Sequence, residues 1–310
     1  MPGVEPLKLA PIFKERVWGG RRLVPDSAVP IGEAWIVFED SVVIAGGWAG
    51  RTLGDATAVL GADLLGDNVQ GETGLRFPLL VKLLDSSDWL SVQVHPNDEQ
   101  ARSFEGPEHF GKTEAWHVLE ADPDAQVVYG HKRGIDHAEL DQLVRTGALE
   151  TALNFRQVQA GDTLFTPAGC VHAIGPGLFI YEVQQTSDIT YRLYDWNRPQ
   201  SAGRELHLEK GLDVVGDCSS EDSDRVSSGP SLVECPYFAL DRVSTSSVMT
   251  LNTEHRSFHA VTVTDGSAYI SAGEWSVPVL ELESVVVPAS TGTYDVVPEA
   301  MCTLLISRVP

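Results

Sequence analysis

The sequence predicts a mainly β protein with two jelly-roll barrels. Short segments rich in β-branched and aromatic residues, bounded by glycine, proline and polar turns, recur over the N-terminal two thirds of the chain. A polar stretch of linker composition, CSSEDSDRVSSGP, then precedes a second strand-rich segment, 232–309. We therefore expect a first barrel domain at 1–217, a linker at 218–230 and a C-terminal barrel domain at 231–310.

The first barrel is predicted to contain seven strands and two helical insertions, at about 97–110 and 135–155. Asn97 follows a proline and is a typical N-cap, so the first helix is expected from Asn97 to Phe104. Asp136 caps the second, expected to reach Asn154, with apolar residues at Leu140, Val144 and Leu153. The predicted strands are 34–44, 79–84, 89–95, 115–119, 126–129, 163–165 and 177–184.

One strand–turn–strand motif points to metal chemistry. The stretch from Gly161 to His172 reads GDTLFTPAGCVH. A short strand at 162–166 is followed by a sharp turn at Pro167-Ala168-Gly169, and the returning strand directs His172 into the barrel. A lone histidine in a β-rich chain is more often a core residue satisfied by hydrogen bonds. A partner site is therefore needed to favour a ligand.

The segment LSVQVHP provides such a partner site. Alternation places Ser91, Gln93 and His95 on one face of a strand, so two potential ligands face one space. Glu114 follows after an insertion running from 97 to 112. Imidazole nitrogens, a carboxylate and an amide oxygen suit Zn²⁺ or a similar divalent ion, with positions left for water or substrate.

These motifs carry a family resemblance that extends over nearly the whole chain. The stretch from Gly161 to His172 matches the second metal-binding signature of the cupin barrels, G-x5-P-x-G-x2-H. The blocks FPLLVKLLDSSDWLSVQVHPND, GKTEAWHVLEA, PAGCVHAIGPG and TYRLYDWNR occur in that order. Together they resemble the short bacterial form of the type I mannose-6-phosphate isomerases. The resemblance implies a catalytic N-terminal cupin barrel and a degenerate C-terminal one.

The resemblance also implies an activity and a set of site residues. The activity is reversible isomerisation of mannose 6-phosphate and fructose 6-phosphate through an enediolate, with one Zn²⁺ per chain. Arg192 occupies the position of the family's catalytic arginine. The implied zinc ligands are Gln93, His95, Glu114 and His172, and the implied pocket residues are Lys82, Ser91, Lys112 and Glu182.

The proton carrier is left open. Glu182 is the leading candidate, with Lys82 or Lys112 as alternatives. A role for Glu182 in orienting a metal ligand has nearly equal weight. Two other functions also stay open: a zinc isomerase of unphosphorylated sugars and a non-catalytic sugar-binding cupin.

The formal charge of −22 restricts the partners. Nucleic acids and anionic membranes both require a cationic surface, so neither is expected as a partner. A sugar phosphate would also be repelled overall, so its site must gather cations locally. Those in the site blocks are Lys82, Lys112, Arg192 and Arg198. Lys82 lies inside the apolar run 77–84, where an unpartnered charge is costly.

Other features are those of a cytoplasmic enzyme, and we expect a monomer or homodimer without a sequence signal that decides between them. No apolar run approaches the roughly 18 residues that span a bilayer, and the first ten residues lack a signal-peptide pattern. The four cysteines form no C-x-x-C pair, so free thiols are expected at Cys170, Cys218, Cys235 and Cys302.

The C-terminal segment repeats the metal motif without its ligand. In 283–293, Glu283 replaces the first glycine, Ser290 the second, and Thr293 the histidine. We therefore expect His259, which also lies in this half, to be structural and the metal chemistry to belong to the first barrel.

Overall fold

The computed structural model describes residues 4–69, 74, 76–199, 204–216 and 229–310, which are mainly β, as predicted. The strands, numbered along the chain, are β1 (Leu7–Leu9), β2 (Ile12–Gly20), β3 (Ile31–Val37), β4 (Leu79–Ser86), β5 (Val92–Val94), β6 (Glu114–Ala121), β7 (Gln126–His131), β8 (Leu153–Gln157), β9 (Thr163–Thr166), β10 (His172–Ile174), β11 (Leu178–Gln185), β12 (Tyr191–Tyr194), β13 (Ser231–Glu234), β14 (Ala239–Thr245), β15 (Met249–Asn252), β16 (His259–Asp265), β17 (Ala268–Ala272), β18 (Trp275–Val279), β19 (Ser284–Val287), β20 (Thr293–Pro298) and β21 (Cys302–Arg308). The α-helices of the described residues are α1 (Leu53–Leu60), α2 (Ala62–Leu65), α3 (Asp98–Glu105), α4 (His137–Arg145) and α5 (Leu208–Val214).

The chain forms two compact units, each discontinuous in sequence. The first unit comprises Met1–Phe13, Ala34–Lys82 and Val226–Pro310, and the second comprises Lys14–Glu33 and Leu83–Arg225.

The second unit contains strands of two sheets. One sheet is antiparallel and has the strand order β12-β5-β10-β7-β8. In the other, β2-β3-β4-β11-β6-β9, strands β11, β6 and β9 lie wholly in this unit and β2, β3 and β4 lie in it in part. Side chains of β5 alternate between two environments. Val92 and Val94 pack in one core cluster with residues of α4 and α5, whereas Trp116 of β6 and Tyr129 of β7 share a different cluster. Gln93 therefore projects away from the helices, toward the space between the two sheets.

The first unit also contains two sheets, ordered β1-β19-β16-β21-β14-β13 and β15-β20-β17-β18. Its N-terminal residues join the C-terminal ones because β1 pairs with β19, with Leu7 opposite Val286. Phe77 also packs on Phe258, with ring centroids 4.4 Å apart. Each compact unit combines segments that are distant in sequence, whereas the domains expected at 1–217 and 231–310 are continuous. Local composition does not encode pairing between distant strands, so it could not predict this arrangement. The domain assignment stays a prediction, and most of the expected linker lies outside the described residues.

The predicted elements are present, but several of them begin or end at other residues; the strand expected at 89–95, for example, covers only Val92–Val94. The first helical insertion is confirmed: the Asn97 side chain accepts a bond from Gln100 N at 2.9 Å, and the Gln100 side chain returns one to Asn97 N. The second helix is capped by Asp136 as predicted but ends at Arg145, so its expected extension to Asn154 is wrong. Gly147 adopts a φ of 71° that stops the helix, and β8 follows. The strand expected at 34–44 likewise ends at 37.

The state of the cysteines differs from the sequence-based expectation. Cys235 and Cys302 are buried free thiols, but Cys170 is disulfide-bonded, so the expectation of four free thiols is wrong. Cys218 lies outside the described residues. Spacing patterns detect local cysteine pairs only.

Within the described ranges, no helix has both the length and the apolar character required to cross a membrane.

Candidate metal centre

Four predicted site residues meet where adjacent strands bring them into register. His172 lies directly opposite Gln93 on β5, and Gln93 lies opposite Arg192 on β12. Directly opposed residues of antiparallel strands project from the same face of a sheet. Gln93, His172 and Arg192 therefore form a row on the face that looks toward the second sheet. His95 follows two residues after Gln93, and its ring centroid is 4.7 Å from that of His172.

Glu114 enters the same space from the opposite sheet. It begins β6, and its carboxylate oxygens are 3.5 Å from His95 Nε2 and 3.3 Å from His172 Nε2. All three side chains are buried, with at most 1% of each exposed. Among the described residues, His95, Glu114 and His172 are the one group of His, Cys, Asp or Glu side chains found within metal-binding reach of one another.

Backbone carbonyls fix the tautomers of both histidines. His95 Nδ1 is 2.9 Å from the carbonyl oxygen of Ile189, and His172 Nδ1 is 2.9 Å from that of Cys170. A carbonyl oxygen only accepts hydrogen bonds, so each neutral ring carries its proton on Nδ1 and keeps a lone pair on Nε2. Burial, reinforced by the charge of Lys112, lowers the pKa of His172 to about 4, which keeps its imidazole neutral at pH 7. These are the forms that bind a metal ion.

Gln93 is less well oriented for a metal. Its Nε2 lies 3.2 Å from His172 Nε2, and its Oε1 accepts from the Ser91 hydroxyl at 3.3 Å. Only the amide oxygen can bind a cation, so Gln93 would join the set with its amide turned over. The two predicted residues Ser91 and Gln93 are nevertheless brought together beside the histidines.

Lys112 lies beside the candidate metal ligands Glu114 and His95. Its ammonium is 2.7 Å from a Glu114 oxygen and 3.0 Å from His95 Nε2, and only 4% of the residue is exposed. The carboxylate compensates the charge of the buried lysine, which would otherwise be costly. The site therefore holds one positive and one negative side chain beside the two imidazoles.

Glu182 lies on β11, opposite Trp116 of β6. Glu182 is buried, and one of its carboxylate oxygens accepts from the Trp116 indole N–H at 2.9 Å. The same indole contacts the His172 ring edge to face, at 5.3 Å between centroids. Trp116 thus connects Glu182 to the histidine, a role that sequence reasoning missed. The signal was its position two residues after Glu114 on the same strand face.

Arg192 of β12 is hydrogen-bonded to the segment that precedes α5. Its NH1 donates to the Glu205 carbonyl at 2.6 Å, and its backbone N–H donates to His207 Nδ1 at 3.2 Å. Its Nε is buried, and none of the described residues accepts a hydrogen bond from it. Burial, and to a lesser extent Arg204, lowers the pKa of Arg192, while Asp195 opposes that shift. A buried guanidinium N–H without a protein acceptor is suited to a ligand oxygen. Sequence reasoning did not identify His207.

Arg198 and Lys82 have other neighbours. Arg198 donates to Asp195 at 3.0 Å, to Asp88 at 2.8 Å and to the Trp89 carbonyl at 2.6 Å, so protein acceptors engage much of its guanidinium. Lys82 is buried in the first unit, with its ammonium 5.6 Å from the centroid of the Trp35 ring. Their roles in substrate binding stay predictions.

The fold and this buried His–Glu–His group define a mainly β protein with a candidate metal site between two sheets. A family model, phosphomannose isomerase type I, catalytic domain, matches residues 7–125. Mannose-6-phosphate isomerase ManA of Bacillus subtilis strain 168 is 35% identical over 320 residues, covering 96% of this chain and 98% of that one. The chain therefore belongs to the mannose-6-phosphate isomerase family, as the sequence motifs predicted.

Solved structures agree in fold. The crystal structure of the mannose 6-phosphate isomerase from Bacillus subtilis superposes with a TM-score of 0.85 at 29% identity, covering 98% of this chain and 99% of that one. A zinc-bound holo mannose 6-phosphate isomerase superposes with a TM-score of 0.77 at 16% identity, covering 97% and 99%. The second likeness concerns the fold alone.

Proposed function

We propose that this chain is a zinc-dependent aldose–ketose isomerase that interconverts mannose 6-phosphate and fructose 6-phosphate. The observation that carries the proposal is the convergence of two imidazole Nε2 atoms on one buried carboxylate, in a chain of this family. A cytoplasmic location and a monomeric or homodimeric state stay predictions.

Gln93, His95, Glu114 and His172 would hold one Zn²⁺ per chain. Two imidazoles and a carboxylate are zinc ligands, and a site with few protein ligands leaves positions for substrate. When bound, the ion supplies Lewis acidity, which polarises a sugar oxygen.

The reaction moves one proton between neighbouring carbons of the open-chain sugar. A base takes the proton from C2, the C–H electron pair forms the C1–C2 double bond, and the C1 carbonyl oxygen becomes an enediolate oxyanion. Return of that proton to C1, with transfer of the O2 proton to the O1 oxyanion, gives the ketose. Arg192 would stabilise the oxyanion; its buried Nε–H, which has no acceptor among the described residues, supports that role.

Glu182 is the proposed base. Its carboxylate is buried, oriented by the Trp116 indole and linked through that ring to His172. Lys112, the alternative, already shares its ammonium between Glu114 and His95, which suits it better to stabilising the oxygens that gain negative charge in the transition state. Lys82 stays the other alternative.

A coupled assay with mannose 6-phosphate and mannose, each with and without a chelator, tests the function. Charge-assisted hydrogen bonds are worth roughly 1.5–3 kcal/mol each, so two or three should favour the phosphorylated sugar by a few powers of ten in kcat/KM. Equal kcat/KM for both sugars would contradict the phosphosugar assignment and favour an isomerase of neutral sugars. No turnover of either sugar by the metal-loaded protein would favour a sugar-binding cupin.

One cation can be tested separately. With Glu182 as the base, Lys82→Met should reduce the preference for the phosphorylated sugar and leave turnover of mannose nearly unchanged. Loss of turnover with both sugars would favour Lys82 as the base instead. Lys132→Met is the matched control, because Lys132 is an exposed lysine that donates to the Thr151 carbonyl at 2.7 Å.

A further inference from the structure

A pair of side chains outside the metal site holds the short segment that carries Lys112. Asp98, the first residue of α3, accepts through one carboxylate oxygen from Gly111 N at 2.7 Å and from Gln185 Nε2 at 3.0 Å. The other end of the same amide, Gln185 Oε1, accepts from Thr113 N at 2.9 Å. Asp98 and Gln185 thus bond the backbone N–H groups on both sides of Lys112. We call these two residues the Asp98–Gln185 bridge.

The backbone around Lys112 has little freedom left. Lys112 N donates to the Pro96 carbonyl at 3.0 Å, so three successive N–H groups have acceptors. Gly111 approaches the start of α3 so closely that an added Cβ would lie 2.6 Å from the carbonyl carbon of Asn97 and from Asp98 N. A position that admits only glycine fixes the register between the helix and this segment.

The Gln185 end of the bridge is shielded from water, whereas Asp98 is half-buried. Gln185 and Thr113 are 6% and 5% exposed. A buried amide that uses both its oxygen and its nitrogen is a rigid spacer, because moving it would leave buried polar groups without partners.

We propose that Asp98 and Gln185 are positioning residues that hold Lys112 beside the metal site by clamping the backbone at Gly111 and Thr113. The helical insertion would then serve the site by delivering Asp98 to it. The consequence for catalysis rests on the proposed function, whereas the clamping of the backbone by the Asp98–Gln185 bridge does not depend on it.

Hydrogen exchange tests the clamp without reference to activity. In Gln185→Met, which has a similar volume but no hydrogen-bonding amide, the amides of segment 111–113 should exchange roughly 5–10-fold faster, while those of β7 and β10 are unchanged. Asp98→Ala should do the same at Gly111, and Asp98→Asn, which keeps an acceptor oxygen, should restore protection. Glu99→Ala removes the exposed neighbouring acid of the same helix turn and should have no effect. Unchanged exchange in both Gln185→Met and Asp98→Ala would overturn the proposal.

Kinetics test whether the clamp acts through Lys112. Gln185→Met and Asp98→Ala should lower kcat roughly 10- to 100-fold, the scale of a small misplacement of a catalytic group, with KM and zinc content little changed. In a Lys112→Met background the same substitutions should change the residual kcat less than about twofold, because the group that they position is gone. A full loss in that background would overturn the positioning role. If the wild-type protein shows no isomerase activity, the proposed function fails, and hydrogen exchange still decides the clamp.

Discussion

Replacing Glu114 by glutamine should destabilise the metal-free protein strongly. The substitution keeps the shape of the side chain but removes the carboxylate that lies 2.7 Å from the Lys112 ammonium. Glu114 is 0% and Lys112 4% exposed, so water cannot take over the role of the carboxylate. Leaving one partner of a buried ion pair uncompensated typically costs about 3–5 kcal/mol. We expect a loss of that size in the free energy of unfolding.

The double variant Lys112→Met with Glu114→Gln isolates the cause. Replacing both charges removes the uncompensated ammonium, so most of the lost stability should return. Urea unfolding in the presence of a chelator gives the comparison, because bound metal then contributes nothing. Glu209→Gln is the matched control: it breaks an ion pair of similar length, 2.8 Å to Arg145, in which the glutamate is 78% exposed. That change should barely shift the midpoint.

Two results would refute this reasoning. Glu114→Gln could be no less stable than the Glu209→Gln control, which would mean that the Lys112 ammonium finds water or another acceptor. The double variant could also be as unstable as Glu114→Gln alone, which would assign the loss to packing instead of to the charge.

Three other substitutions have defined outcomes. His172→Ala should lose both bound metal and activity, measured by elemental analysis and the coupled assay; activity without metal would contradict the ligand assignment. Arg192→Ala should lower kcat roughly 100-fold with metal content unchanged, and Arg192→Lys should rescue it poorly, whereas a rise in KM alone would indicate ground-state binding. Burial, and then Arg308, lowers the pKa of His259 from its ordinary value of 6.5 to about 4. Between pH 6.5 and 4 the unfolded chain therefore binds a proton that the folded protein does not, and the free energy of unfolding falls as the pH drops through that range. His259→Gln should remove up to about 3 kcal/mol of that fall, and an unchanged pH profile of urea unfolding would contradict it.

The sequence predicted the features that local pattern encodes. The strand and turn before His172 and the caps at Asn97 and Asp136 depend on residues only a few positions apart, and all are present. Alternation also placed Gln93 and His95 correctly, because side-chain direction in a strand follows from spacing alone.

Pairing between distant strands was not predictable in the same way. No local pattern indicates that Trp116 lies opposite Glu182, or that Asp98 meets Gln185. The engagement of Arg198 by Asp88 and Asp195 was hidden for the same reason. A cationic residue in a site block is equally suited to a ligand or to a protein carboxylate until its neighbours are known.

The C-terminal repeat of the motif illustrates how a ligand position depends on the turn before it. In the first copy, Gly169 takes the left-handed conformation two residues after Pro167, with a φ of 87°, and His172 is buried between the sheets. In the second, the left-handed residue is Gly292, four residues after Pro288, and Thr293 is exposed. The aligned position therefore faces solvent. The neighbouring buried side chain is Tyr294, whose hydroxyl bonds His259 Nδ1 at 2.8 Å. A histidine restored at 293 would still lack the buried surroundings and the carboxylate that make His172 suited to a metal.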